Sequence, residues 1–317
     1  MEIDAVVTWV NSTDPQWVRS YEETIGEPFK KSIRFTGENT DPETELKVCL
    51  KLLKKHMPWL RNTFVLTKDG QVPSCLTDEI VVHHSAVGLG PVFNSLAIES
   101  CLHKIPMLSE KFVYFNDDIF VIKPLQSNQL FDDDKPIVRL QQLNFTSEWI
   151  RSLDDTADIV GGKWNKGTTL PHVPYVLTKT IMERAEARLG HHWTRTMKCP
   201  LRYRCKEITP VFAATLIALQ DKTAVQKDFD PIRYTWMDTI TSQNEVEYHR
   251  TLGRNVICLG HYTGSYDILE EAMCGTSPFH LSYLVYLIIV AFIIFILYIL
   301  YILYKVIRKY SNIRANI

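Results

Sequence analysis

The sequence predicts an α/β head of Rossmann-like architecture with a helical second lobe, followed by one C-terminal transmembrane helix. Three observations lead there. Apolar strand-like runs alternate with helix-like segments through residues 1–270, polar and acidic loops follow several of those runs directly, and a long uncharged stretch lies near the end. Strands are expected at 3–10, 62–67, 79–83, 111–116 and 119–122, all rich in Val, Ile, Phe and Tyr and short enough for a sheet core.

The best-marked helix is expected over 42–56. Asp41 suits its N-cap, Pro42 its first position, and Glu43 and Glu45 the positive end of its dipole. Leu46, Leu50, Leu53 and Met57 share a face, Lys51, Lys54 and Lys55 crowd the C-terminal end, and Pro58 stops it. Further helices are expected at 94–103, at 179–189 ending on Gly190, and at 210–220.

Residues 281–304 read LSYLVYLIIVAFIIFILYILYILY, 24 residues without a charge. As a helix this stretch rises about 36 Å, enough to cross a hydrocarbon core of ~30 Å with some tilt. It has no polar face to present to water, and tyrosines near its ends suit the bilayer interface. The two arguments about orientation disagree. Lys305, Arg308, Lys309 and Arg314 follow the span with no acid, which favours a cytosolic tail, whereas MEIDAVVTWV has no leader character, which favours a cytosolic head. The expectation is a single-pass, C-terminally anchored membrane protein with its head in the cytosol, a lumenal head being the alternative.

The net charge of −1 gives no global basic surface for nucleic acid. Seven cysteines, scattered and odd in number, make no disulfide framework. His191, His192, Cys199 and Cys205 match no standard zinc spacing, leaving a local thiol or disulfide role. The sequons at Asn11 and Asn144 carry little weight, since a glycan on Asn11 would block the loop described next.

Four places carry chemistry. In IDAVVTWVNSTDPQW an apolar strand runs into Thr8, Trp9, Asn11, Ser12, Thr13 and Asp14, at the strand end where open α/β sheets bind ligands. An indole beside hydroxyl, amide and carboxylate groups suits a nucleoside, and the same residues also suit an ordinary turn. In KFVYFNDDIF, Asn116, Asp117 and Asp118 follow a strand directly. The Asp pair can hold Mg²⁺ against phosphate, and Asn-Asp-Asp is equally good turn chemistry. Asp132, Asp133 and Asp134 have no strand leading into them and read as a solvated loop. In LPHVPYVLTK, His172 sits between two prolines and can take a proton from a hydroxyl, or be structural. In RYRCKEI, Arg202 and Arg204 can bind phosphate and Glu207 can hold a guanidinium in place.

In this order the blocks resemble the Stealth proteins, a family that includes bacterial capsular polysaccharide phosphotransferases and the α/β subunit of the lysosomal-enzyme N-acetylglucosamine-1-phosphotransferase. IDAVVTWVNSTDPQW comes first, then ELKVCLKLLKKHMPWLRNTFVLTKDGQVPSCL, then FNSLAIESCLHKIPMLSEKFVYFNDDIF with its FNS-x-AIE and NDD signatures, then HVPYVLTK and the Arg204-x-x-Glu207 pair.

The resemblance implies a glycosyltransferase-A-like, nucleotide-sugar-binding sheet. It implies a head over 1–270, with the donor part at 1–140 and the acceptor and catalytic part at 141–270, before the span and a basic tail at 305–317. The implied reaction moves a hexose-1-phosphate, such as N-acetylglucosamine-1-phosphate, from a uridine-type nucleotide sugar to a glycan or glycoprotein hydroxyl. A nucleoside monophosphate is released.

Asp118, His172 and Arg204 are then the expected catalytic residues, Asp117 and Asp118 the ligands of Mg²⁺ or Mn²⁺, and Thr8, Trp9, Asn11, Asp14, Asn94, Asn116 and Glu207 the substrate-binding set. Two departures stand out: Cys258-Leu259-Gly260-His261 replaces the family's Cys-x-Asn-Asp, so that His261 or Tyr262 must substitute if that pair acts, and Leu96 replaces a common histidine. An ordinary nucleotide-sugar glycosyltransferase and a decayed membrane-bound sugar-binding protein are the alternatives.

Overall fold

A computed structural model describes residues 2–30, 41–228, 232–237, 242–259, 266–274, 292–296, 298–299 and 301. The first half runs β1 (Ile3–Thr8), α1 (Pro15–Ile25), α2 (Thr44–His56), β2 (Thr63–Thr67), β3 (Ile80–His83), α3 (Ser95–Glu99), β4 (Lys111–Asn116) and β5 (Ile119–Val121). Short strands β6 (Phe131–Asp132), β7 (Lys135–Val138) and β8 (Gln141–Gln142) lead to α4 (Glu148–Val160) and β9 (Thr168–Thr169). Then come β10 (Tyr175–Thr178), α5 (Lys179–Leu189), α6 (His191–Met197), α7 (Pro210–Gln220) and β11 (Val225–Gln226). The last elements of this unit are β12 (Tyr234–Met237), α8 (Gln243–Thr251), β13 (Val256–Leu259) and α9 (Tyr266–Cys274).

The main sheet has the order β10-β4-β1-β2-β3, parallel except for the antiparallel edge strand β10. Its central strands are apolar on both faces because both are covered. Ile3, Ala5 and Val7 of β1 join one core with α2, β5 and β13, while Val6 joins the other with α3, α4, α5 and α7. A second sheet, β12-β13-β5, carries the chain directly out of β4 through the turn at 117–118.

Most expected elements are present. The helix at 42–56 begins two residues later, at Thr44, because Asp41 uses its carboxylate on the Glu43 N–H and the Thr44 hydroxyl and so makes a turn before the helix. The segment at 94–103 breaks into α3 and a 3₁₀ turn at Leu102–Lys104. The acidic run is exposed as expected and turns the chain from β6 to β7: Asp133 takes the left-handed position, and Asp134 pairs with the buried Lys111.

Met1–Cys274 forms one compact unit and Gly275–Ile317 another. Most of the expected span at 281–304 lies outside the described residues. Within it, 292–296, 298–299 and 301 are helical, and Phe292, Ile294 and Tyr298 are each about 60% exposed. Among the described residues no helix is long and apolar enough to cross a membrane.

At the amino ends of the central strands lies a buried carboxylate. Asp4, with no exposed surface, accepts from Arg61 Nε (2.9 Å) and Nη2 (2.6 Å), from the Ser109 N–H (2.7 Å) and from the Asn62 N–H (3.1 Å). Removing one member of a buried ion pair leaves the other charge uncompensated. Asp4→Ala is expected to lower unfolding stability by about 3–5 kcal/mol. Asp78→Ala, at the exposed pair with Lys54, should change it by no more than about 1 kcal/mol. Urea denaturation of the two variants checks the difference, and equal midpoints would remove the clamp from the account.

Candidate active site

The site begins with strand register. β1 and β4 are parallel neighbours with Thr8 opposite Asn116, so both strands end at the same level. That edge is where an open α/β sheet offers polar groups to a ligand. Tyr114 lies two residues before Asn116 and therefore on the same face. Its hydroxyl donates to Asn116 Oδ1 (2.7 Å) and accepts from Thr8 Oγ1 (3.2 Å), which fixes the Asn116 amide.

Asp117 and Asp118 form the turn from β4 into β5. The Leu259 N–H of β13 donates to the Asp118 carbonyl at 3.0 Å, so the Cys258-Leu259 segment borders this turn. Cys49 of α2 packs beneath it, with Sγ 3.5 Å from the Ile119 carbonyl. Burial pushes the Cys49 thiol well above its usual range, and the charges of Asp117 and Asp118 push it further. Gly260, His261 and Tyr262, where the family's Asn-Asp pair is replaced, lie outside the described residues.

The antiparallel edge strand brings Tyr175 opposite Tyr114, rings stacked at 5.8 Å. Both phenols are raised well above their usual range by burial, with the Glu99 carboxyl the next cause. Glu99, on α3, is 8% exposed. Burial raises it to about 7, against the opposing pull of the Arg202 guanidinium and the Val211 N–H at the start of α7.

Arg202 is held between elements. Its guanidinium donates to Ser95 Oγ and lies over the rings of Trp149 (5.4 Å) and Tyr203 (5.8 Å). The charge of the same guanidinium is felt at His172. Burial first, and then that positive charge, push His172 down to about 4. The imidazole meets the Trp236 ring edge-on at 4.7 Å, and its buried Nδ1 has no hydrogen-bond partner among the described residues. A neutral imidazole can accept a proton. Asp118, Glu99, Arg202 and His172 thus act on one another or on the same two tyrosines.

Several expected ligand-binding residues serve the scaffold instead. Trp9 is 5% exposed and donates its indole N–H to the Pro42 carbonyl, so its ring belongs to the core beside α2. Asn11 Oδ1 accepts from the Thr13 N–H and hydroxyl, Gln71 braces Asn11 and Asp14, and Asp14 caps α1. Asn94 caps α3 and donates to the Cys199 carbonyl.

The expected Arg204–Glu207 pair is corrected. Arg204 pairs with Glu27 at 3.0 Å on the surface, and the buried Glu207 accepts the N–H groups of Tyr203 and Cys205. A carboxylate flanked by close backbone donors is satisfied by them and leaves the guanidinium to a surface partner.

Sequence reasoning gave no role to Glu99, Tyr114 or Tyr175 and preferred Arg204 to Arg202. A lone carboxylate in the apolar Leu96-Ala97-Ile98 stretch was the available signal for Glu99.

Asp117, Asp118 and the amide of Asn116 are an all-oxygen donor set at a strand end. It suits a hard cation that completes its shell with phosphate oxygens. The grouping of Cys199, Cys205 and Glu207, whose donor atoms lie within 4.8 Å of one another, does not suit a metal. Its cysteines are joined in a disulfide and its carboxylate is engaged by the backbone.

His56, His84 and His172 are each pushed down to about 4 by burial. Between about pH 6.5 and 4 the unfolded chain therefore binds more protons at these sites than the folded chain, and acid destabilises. Glu99, raised to about 7, has the opposite sign, its folded form holding the extra proton between about pH 4.5 and 7. Three sites against one give a melting temperature that falls from pH 6.5 to 5. Glu99→Gln should steepen the fall, and thermal melts across that range check both statements.

The family model for Stealth protein CR2, conserved region 2, matches residues 39–138, which contain α2, the FNS-x-AIE segment and the Asp117–Asp118 turn. The capsular polysaccharide phosphotransferase of Neisseria meningitidis serogroup B is 32% identical over 211 residues, 58% of this chain and 55% of that protein. The capsular polysaccharide phosphotransferase LcbA of Aeromonas hydrophila is 41% identical over 143 residues, 41% of this chain and 38% of that protein. The chain spans about half the length of these relatives or less. Among solved structures, the galactosyltransferase LgtC with donor and acceptor sugar analogues aligns over 82% of this chain and 87% of its own, at 10% identity and a TM-score of 0.38, too loose a superposition to build on. Residues 39–138 thus match conserved region 2 of the Stealth proteins, and the chain is similar over part of its length to these capsular polysaccharide phosphotransferases.

Proposed function

We propose that the chain transfers a hexose-1-phosphate from a uridine-type nucleotide sugar to a hydroxyl of an acceptor glycan and releases a nucleoside monophosphate. The observation that carries this reading is the Asp117–Asp118 turn at the end of β4, tied through β13 and β12 to the Trp236 ring that meets His172. Such a displacement needs an aligned hydroxyl, positive charge at the phosphoryl oxygens and a stabilised leaving phosphate. The names of the relatives, phosphotransferases of capsular polysaccharide, point the same way.

In this reaction the His172 imidazole takes the proton of the acceptor hydroxyl. The acceptor oxygen forms its bond to the donor's sugar-linked phosphorus while the bond from that phosphorus to the bridging oxygen breaks, and the nucleoside monophosphate leaves with the bonding pair. Arg202 faces the phosphoryl oxygens, and Glu99 behind it tunes that charge. Asp117 and Asp118 would hold Mg²⁺ or Mn²⁺, which supplies charge neutralisation to the diphosphate. Tyr114 and Thr8 orient Asn116 toward the donor.

Asp118→Asn, His172→Ala and Arg202→Ala are each expected to lower turnover about a hundredfold. Arg204→Ala, which breaks only a surface ion pair, should lower it no more than roughly fivefold. The assay supplies a uridine nucleotide sugar, Mg²⁺ and acceptor sugars. Release of nucleoside diphosphate would assign the chemistry of an ordinary glycosyltransferase, and equal losses for Arg202 and Arg204 would remove Arg202 from its role.

We also place residues 281–304 in a bilayer, supported by their uncharged length and by the exposed apolar helix at 292–296. The Cys199–Cys205 disulfide supports a head outside the reducing cytosol, in agreement with the basic tail and against the orientation expected from the N-terminus. Carbonate extraction should leave the full chain in the membrane pellet, and protease added to sealed vesicles should spare the head. A head digested from the cytosolic face would reverse the orientation.

A further inference from the structure

Between α6 and α7 the chain makes a tight excursion that carries Arg202, and its construction exceeds what a connection of this length needs. Cys199 and Cys205 are joined, with Cα atoms 5.9 Å apart and a separation of only six in sequence. Inside that ring Tyr203 has φ 66°, and just beyond it Lys206 has φ 52°. Neither residue is glycine, and left-handed backbone at such residues persists only where the surroundings impose it.

Glu207 supplies part of that constraint through the N–H groups of Tyr203 and Cys205, and Arg195 adds a bond to the Lys206 carbonyl at 2.6 Å. The ring is also tied to the FNS segment. The Phe93 N–H donates to the Pro200 carbonyl at 2.8 Å, and Asn94 Nδ2 to the Cys199 carbonyl at 3.2 Å. Ser95, the next residue, receives the Arg202 guanidinium, and Glu99 lies one turn further along α3. The disulfide therefore closes the peptide loop that carries Arg202 to Ser95 and Trp149.

We propose that the Cys199–Cys205 disulfide is the positioning element for Arg202, so that the thiol–disulfide state of this pair sets the activity of the site. The proposal rests on the phosphotransfer reading above. Closing the ring removes two protons and two electrons from the two thiols and passes them to a disulfide oxidant, which becomes a dithiol or a thiol pair. A dithiol reverses the step, returning two thiols and leaving as its own disulfide. α6 and α7 keep their packing in both states, since Trp193 and Phe212 are buried in the core independently of the ring. Opening it frees the left-handed turn and lets Arg202 leave Ser95, and small displacements of a positioned charge have large kinetic effects.

The test uses the full chain in detergent with the disulfide verified by alkylation and mass measurement. Dithiothreitol is expected to lower kcat at least tenfold with a smaller change in donor KM, and oxidised glutathione to restore it. The double variant Cys199→Ser, Cys205→Ser should have the lowered rate with or without dithiothreitol. Arg202→Ala, already slow, should be insensitive to it, which loss of general stability would not produce. Equal rates for oxidised and reduced enzyme overturn the proposal, as does a dithiothreitol effect that persists in the double variant or in Arg202→Ala. If the oxidised wild type releases no nucleoside monophosphate, the phosphotransfer reading fails separately. Hydrogen exchange at 201–206 then decides the positioning claim: at least tenfold faster exchange after reduction supports it, and unchanged exchange overturns it.

Discussion

The Asp4 clamp sets the frame for everything at the opposite end of the sheet. A carboxylate without exposed surface must be matched by donors, and here they come from two different segments: Arg61 and Asn62 before β2, and Ser109 before β4. Because the Ser109 hydroxyl also accepts the Asp4 N–H at 3.1 Å, β1 and β4 are locked by a reciprocal pair. A parallel ladder has no hairpin to fix its register, so this polar knot does that work. With Ile3 opposite Lys111, six residues of regular pairing bring Thr8 level with Asn116. A slip of one residue would turn Tyr114 and Asn116 to the other face and dismantle the relay from Thr8.

At the far end the problem is inverted, because buried charge there is only partly matched. Glu99 is raised to about 7 and His172 lowered to about 4, with Arg202 acting on both. Burial drives both shifts toward the neutral form, and the guanidinium opposes the first and adds to the second. Glu99 and the Asp117–Asp118 pair, close along the chain, have different surroundings. Glu99 is wrapped by α3, α7 and two tyrosines, whereas the Asp117–Asp118 turn lies at a strand end. Divergent protonation of neighbouring groups is how a site holds a base and a countercharge at one pH.

How much of this was legible in the sequence follows from which interactions are local. β4 and the helices at 179–189 and 210–220 have the expected bounds because strand composition, Gly190 and Pro210 are local signals. The Asp-Asp turn and His172 were visible for the same reason, each sitting beside a strand or between prolines. The first loop misled because Asn, Thr and Asp make turns and caps with their own neighbours as readily as they bind ligands. Arg204 was preferred to Arg202 because the spacing to Glu207 suggested a pair. What separates the two arginines is a long-range fact: Ser95 and Trp149 receive one and Glu27 the other. No local pattern encodes that choice.

The second sheet explains why the site is assembled from distant parts of the chain at all. β5 leaves β4 through the Asp117–Asp118 turn and pairs antiparallel with β13, which in turn pairs with β12. One consequence is that Leu259 is bonded to Asp118; the other is that β12 presents Trp236 to His172. The strand pair thus joins the acidic turn from the first half of the chain to the imidazole from the second without either touching the other directly in sequence or in a helix. Because Cys258, the first residue of the divergent block, is itself paired with Ile119 and fully buried, the strand that leads into that block is anchored beside the acids.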